Sequence, residues 1–185
     1  APSVAEPKVD GTTEDQKLAS EVYKTLTGSN DGATAPSIDE SALKAAANAV
    51  ANDTNGTVTD QIVEDLKQAT SNKNITANDV TIVIQPYLDI QITDVDATSG
   101  SETITLDITP MYRTVATTAK LESGQIILDS KDSGTVNAVQ IGDPRPLEIN
   151  KPVTITLTLP ANFATSNETL YIQHIKDGGR TYYYT

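Results

Sequence analysis

A chain of 185 residues with 25 acidic and 13 basic side chains carries a formal charge of −12, so nucleic acid and anionic membrane surfaces would repel it as partners. It has no cysteine, which excludes a disulfide framework, a thiolate metal site and a cysteine nucleophile. The length suits one domain, or a β domain with a smaller appendage.

Residues 1–12 contain two prolines and no periodicity, which predicts a tether. Ala1–Lys8 lacks the basic start and apolar core of a signal peptide. No apolar run in the chain approaches the ~20 residues that a membrane helix needs. Thr13 and Gln16 have the spacing of a capping box, in which each side chain satisfies an orphan amide of the first helical turn. Leu18, Val22 and Leu26 then recur every fourth residue, and Gly28 supplies the stop. After a loop at Ser29–Pro36, Ser37 and Glu40 form a second box opening a helix with Leu43, Ala46, Ala47 and Val50 on one side. That helix ends in the Asn52–Gly56 stretch. A third runs from about Thr59 to Thr70, with Ile62, Leu66 and Ala69 at helical spacing.

Near Asn74 the composition changes. Of 19 alanines 12 precede position 75, and of 16 isoleucines 14 lie at or after it, so helix preference gives way to strand preference. From Val80 to Thr93 the even positions are aliphatic, except Pro86, and the odd positions are polar apart from Val83, the two-residue period of a half-buried strand. A Gly-centred turn joins it to a second long strand at 103–118. Shorter strands are expected at Gln125–Leu128 and Thr135–Ile141, followed by a proline-stiffened crossing at Asp143–Leu147. In Pro152–Pro160, Val153, Ile155, Leu157 and Leu159 should face inward and the threonines outward. Glu168–Lys176 and Arg180–Thr185 form a hairpin around Asp177-Gly-Gly. The expected fold is α+β: a tether at 1–12, about three short helices in 13–74, and an antiparallel immunoglobulin-like β-sandwich of about seven strands in 75–185. Thr181–Thr185 reads as a strand stopped in its middle, so a segment of a longer protein is expected.

The Pro152-Val-Thr-Ile-Thr-Leu-Thr-Leu-Pro160 strand followed by Leu170-Tyr-Ile-Gln-His-Ile-Lys-Asp-Gly178 resembles a strand pair in immunoglobulin-like modules of large surface proteins of Gram-positive gut bacteria. Tyr87–Ile90 and Leu106–Arg113 are similar to the upstream strands of those modules, so the resemblance covers about residues 80–185. It implies a non-catalytic extracellular module at a bacterial cell surface, a spacer or an adhesive docking domain. Its implied partners are neighbouring domains of the same longer chain and a glycan or a host or bacterial surface protein. No direct membrane insertion of the segment is expected.

Chemistry-bearing residues are few. His174 is the single histidine, and a strand histidine with one side packed and one wet is the ordinary reading beside a proton shuttle or metal ligand. Asp94, Asp96 and Glu102 place oxygens around the turn between the long strands like part of a calcium loop, without its full twelve-residue pattern. An Asp- and Ser-rich turn is their ordinary explanation, and no other cofactor is indicated. Asp89 and Asp107 have no spacing that marks a catalytic pair. No phosphate loop, nucleophile elbow or zinc-protease helix is present, so no enzymatic activity is expected. Tyr171, Tyr182 and Tyr184 give a binding hint, because an exposed tyrosine surface stacks on sugar rings or on a protein partner. Their other reading is a cap on the core and cover for an edge strand.

Overall fold

A computed structural model describes residues 3–29, 37–38, 40–53, 57–118, 138–150, 153–161, 163, 169, 171–176 and 179–184. The order is β1 (Ser3–Val4), α1 (Thr13–Leu26), β2 (Ser37–Ile38), α2 (Glu40–Asp53), α3 (Asp60–Thr70), a 3-10 turn (Ala77–Asp79), β3 (Thr81–Asp96), β4 (Thr103–Thr117), β5 (Ala138–Pro146), β6 (Ile155–Thr156), β7 (Ile172–Lys176) and β8 (Arg180–Tyr184). The α+β class follows directly. The described strands form one four-stranded sheet ordered β1-β3-β4-β5 and two separate pairs, β2-β6 and β7-β8. The strand expected at Gln125–Leu128 lies outside the described residues.

Two compact units are present, both discontinuous in sequence: residues 1–5, 37–91 and 106–156, and residues 6–36, 92–105 and 157–185. Each combines helix with strand, and the change of composition at Asn74 marks a change of local structure, from helices before it to strands after it. Physically, a short helix with three or four modest apolar side chains buries too little surface to hold itself.

In the first unit, α3 packs against β5. Val63 and Leu66 of α3 join Ile75 and Ala116 in a buried cluster, with Val58, Ile62, Val80, Ile82, Val139 and Ile141 around it. The buried stripe of α3 is thus Val63 and Leu66, while Ala69, expected on that side, is exposed. The Thr59 hydroxyl caps α3 by accepting from Ile62 N–H at 3.3 Å. On α2, Ala42, Leu43 and Ala47 are buried. Ser37 stands three residues ahead of Glu40, the first residue of that helix. It lies in β2, whose Ser37 and Ile38 pair antiparallel with Thr156 and Ile155 of β6. Among the described residues β6 has two residues instead of the nine expected at 152–160.

The tether expectation also changes. Ser3 and Val4 run parallel to β3, opposite Asp89 and Ile90, so the sheet is mixed and not antiparallel throughout. Leu88 and Ile90 of β3 are buried, as the alternation requires. Tyr87, on the opposite phase, is buried too, because the Arg113 guanidinium covers its ring with Cζ 3.9 Å from the centroid. The expected crossing at Asp143–Leu147 begins inside β5. Register passes from Tyr112 opposite Arg145 to Thr114 opposite Ile141, leaving Gly142–Pro144 as a bulge against Arg113. Gly142 takes φ +67°, and Pro144 sits where no ladder donor is needed.

In the second unit, α1 buries Ala19, Val22, Thr25 and Leu26. Its cap is Thr12 with Asp15, one residue before the expected Thr13 and Gln16. Both pairs have the right spacing, and a charged carboxylate is the better acceptor at the positive end of a helix. The stop is the expected one: Gly28 at φ +69° donates to Thr25 O at 3.2 Å, and Ser29 donates to Lys24 O at 2.8 Å. Ile92 and Val95, at the end of β3, are buried in this unit as well.

Candidate functional site

Two carboxylates are tied down by the backbone, one in each unit. Asp15 Oδ2 accepts from the N–H and hydroxyl of Thr12, both at 2.8 Å, while Oδ1 accepts from Ala97 N–H at 2.8 Å. These bonds, led by Ala97 N–H, hold the carboxyl below its ordinary value of 3.8. A Cβ on Gly11 would come within 2.7 Å of Asp15 Oδ2, so the absence of a side chain there makes room for the lock. Asp79 Oδ2 accepts from Thr76 N–H and its hydroxyl, both at 2.8 Å, and its carboxyl is lowered by that N–H first. Groups with lowered pKa stabilise the fold above the unfolded value and lose that contribution as pH falls through the folded value. Thermal stability should therefore fall as pH drops below about 4, and a double Asp15→Asn, Asp79→Asn variant should show a flatter decline across that range. An unchanged slope, read by melting at closely spaced pH, would remove both locks from the acid response.

Neither carboxylate is placed for chemistry. A cleft of about 320 Å³ lies between residues 6–10 and α1, lined by Glu6, Lys8, Asp10, Gln16 and Tyr23 among others. Its Glu6, Lys8 and Asp10 are exposed, so no desolvated acid or base faces it.

The residues of the calcium expectation sit around the β3–β4 turn. Asp94 and Asp96 are exposed and Glu102 is half-buried. Asp96 Oδ1 is occupied by the N–H and hydroxyl of Thr98, and Ser101 N–H closes the turn onto Thr98 O at 3.0 Å. Among the described residues no three His, Asp or Glu side chains gather as a metal site, so this geometry lends the calcium loop no support.

The tyrosine hairpin is where the structure departs most from an ordinary surface. Ile172, Gln173, His174, Ile175 and Lys176 pair antiparallel with Tyr184, Tyr183, Tyr182, Thr181 and Arg180. In the turn, Gly179 takes φ +82°, while Asp177 and Gly178 lie outside the described residues. Every residue of β7 and β8 is exposed on both faces of the ribbon. The large hydrophobic side chains that are exposed among the described residues all lie here: Tyr171, Ile172, Ile175, Tyr182, Tyr183 and Tyr184.

Register sorts them. Strand alternation puts Ile172, His174 and Lys176 on one face with Tyr184, Tyr182 and Arg180, and the His174 and Tyr182 rings meet there at 6.0 Å between centroids. Gln173, Ile175, Thr181 and Tyr183 take the other face, where Gln173 Nε2 reaches the Tyr183 hydroxyl at 3.5 Å. Tyr182 and Tyr184 thus share a face. Tyr171 precedes β7, and extending the alternation by one residue puts it with Tyr183 instead. His174 is exposed beside Tyr182, with neither side packed into a core. Sequence reasoning left Ile172, Lys176 and Arg180 out of the site, although their positions relative to Tyr182 and Tyr184 follow once the hairpin register is fixed.

No protein-family model, curated protein or solved structure matches the chain. Among the described residues no helix is long and apolar enough to cross a membrane.

Proposed function

We propose that the chain is a non-catalytic docking module of a bacterial cell-surface protein, acting outside the cell, with the β7–β8 hairpin as its contact surface. The observation that carries this is the gathering of Tyr171, Ile172, Ile175, Tyr182, Tyr183 and Tyr184, all exposed, on one two-stranded ribbon. A ribbon of that kind is marginal alone in water, and apolar surface so concentrated marks an interaction site. The immunoglobulin-like character of the β part belongs to the same proposal. Its supports are the sequence resemblance and the antiparallel pairings of β4 with β5 and of β7 with β8. Its neighbours in a longer chain would place the hairpin for contact, while α1, α2 and α3 serve the cores of the two units.

A second reading, a carbohydrate-binding module, is favoured by the shared face of Tyr182 and Tyr184, since adjacent rings on one flat face suit stacking on sugars. The test is retention of the purified chain on a glycan array and on immobilised mucin, beside a Tyr182→Ser, Tyr183→Ser, Tyr184→Ser variant. Retention should be lost in the variant while its melting temperature stays within a few degrees, because these side chains are exposed. Retention that survives the three substitutions would take the contact surface away from the hairpin. Absence of retention by the intact chain would leave only the role of spacer.

A further inference from the structure

The hairpin is also an electrostatic exception. Its segment 171–184 holds two of the chain's 13 basic residues, Lys176 and Arg180, and one of its 25 acids, Asp177. Lys176 and Arg180 are directly paired at the turn end of the face that bears Tyr182 and Tyr184. Along that face the order from the open end is Ile172 with Tyr184, His174 with Tyr182, and Lys176 with Arg180. An apolar, ring-bearing surface therefore runs into a pair of cations, and no described residue of the face is acidic.

From this we infer that the face binds a short uronate oligosaccharide, its sugar rings lying on Tyr182 and Tyr184 and a carboxylate held between Lys176 and Arg180. Two considerations choose this occupant. Charge complementarity selects an anion, and a planar carboxylate matches the guanidinium fork of Arg180 in a two-bond contact between opposite charges, which a neutral sugar cannot make. Size then selects against a protein. Five paired residues on two strands span about 17 Å by about 10 Å, a footprint of roughly 170 Å², against the ~800 Å² that each partner contributes to a stable protein interface. The overall charge of −12 sets a further limit, because long polyanions meet repulsion beyond the hairpin, so a short oligomer is the better fit.

The inference rests on the hairpin being the contact surface, and the probes are chosen to separate the two. Trigalacturonate, its fully methyl-esterified form, a sulfated disaccharide and a short polyglutamate peptide are titrated against the full chain by calorimetry at low and high salt. Trigalacturonate should bind at least tenfold more tightly than the methyl ester, and high salt should erase the difference. Lys176→Ala with Arg180→Ala should remove the preference by bringing trigalacturonate down to the affinity of the methyl ester. Tyr182→Ala should weaken both ligands. Equal affinity for the acid and its ester overturns the inference while leaving the hairpin as a sugar-contact surface. Equal or tighter binding of the sulfated disaccharide overturns the choice of carboxylate, and tighter binding of polyglutamate overturns the choice of sugar. If no probe binds while the hairpin still mediates retention on mucin, the inference fails and the docking function stands.

Discussion

Leu66→Ala should destabilise the chain by about 2–5 kcal/mol, the range for emptying a well-framed leucine site. Leu66 is 0% exposed, and its cluster draws Val63 from α3, Ile75 from the approach to β3 and Ala116 from β4. Val139 and Ile141 of β5 and Ile82 of β3 complete the surround. Four of these neighbours, Ile82, Ala116, Val139 and Ile141, sit on strands whose backbone is fixed by ladder bonds, so the site can collapse only in part and the loss should stay within that range. Ala69→Ser, three residues along and exposed, should cost under about 0.5 kcal/mol, since it touches no core. Urea unfolding of the two variants reads the difference. A loss below about 1 kcal/mol for Leu66→Ala would show that α3 is not what closes this face of the sheet.

That contrast within one helix measures how far periodicity reaches. The 3.6-residue spacing identified α3 and its end at Thr70, yet Ile62, Leu66 and Ala69 matched an apolar stripe as well as Val63 and Leu66 do. Which stripe is buried depends on where the helix docks, and that is decided by β5 and β4, more than 40 residues further on. The same limit explains β6. Alternation at 152–160 is regular, but a strand needs a partner, and the partner turned out to be a two-residue piece ahead of α2. Ser3 and Val4 meet the same limit: they have no pattern of their own and become a strand only through the edge that β3 presents. Local chemistry was more legible. Gly28 as a helix stop and the hairpin closing through Gly179 both follow from glycine's access to positive φ. At the candidate site the tyrosines are legible in the sequence, whereas the pairing of His174 with Tyr182 and of Lys176 with Arg180 requires a register that composition does not supply.

Ile90→Asp should abolish folding of the first unit or lower its stability by several kcal/mol, whereas Gln91→Glu should change it by less than about 0.5 kcal/mol. The two positions are adjacent on β3 and differ in phase: Ile90 is 0% exposed and Gln91 is exposed. Ile90 is also held from both directions along the sheet, since β3 lies between β1 and β4. On the β1 side Val4 is its register partner and Ala5 N–H donates to its carbonyl at 3.2 Å. An aspartate there is too short to carry its charge to water, so it must either stay buried and unpaired or take up a proton, and both cost more than a marginally stable unit can absorb. Ile155→Asp makes the useful comparison. Ile155 occupies an equally clear apolar phase, but it is half-buried on a strand of two residues, so its effect should be the smaller of the two aspartate substitutions. Melting curves of Ile90→Asp, Ile155→Asp and Gln91→Glu should therefore rank in that order of damage. Equal damage from the two aspartates would mean that alternation alone, and not the depth of the paired sheet, sets the cost of a buried charge in this fold.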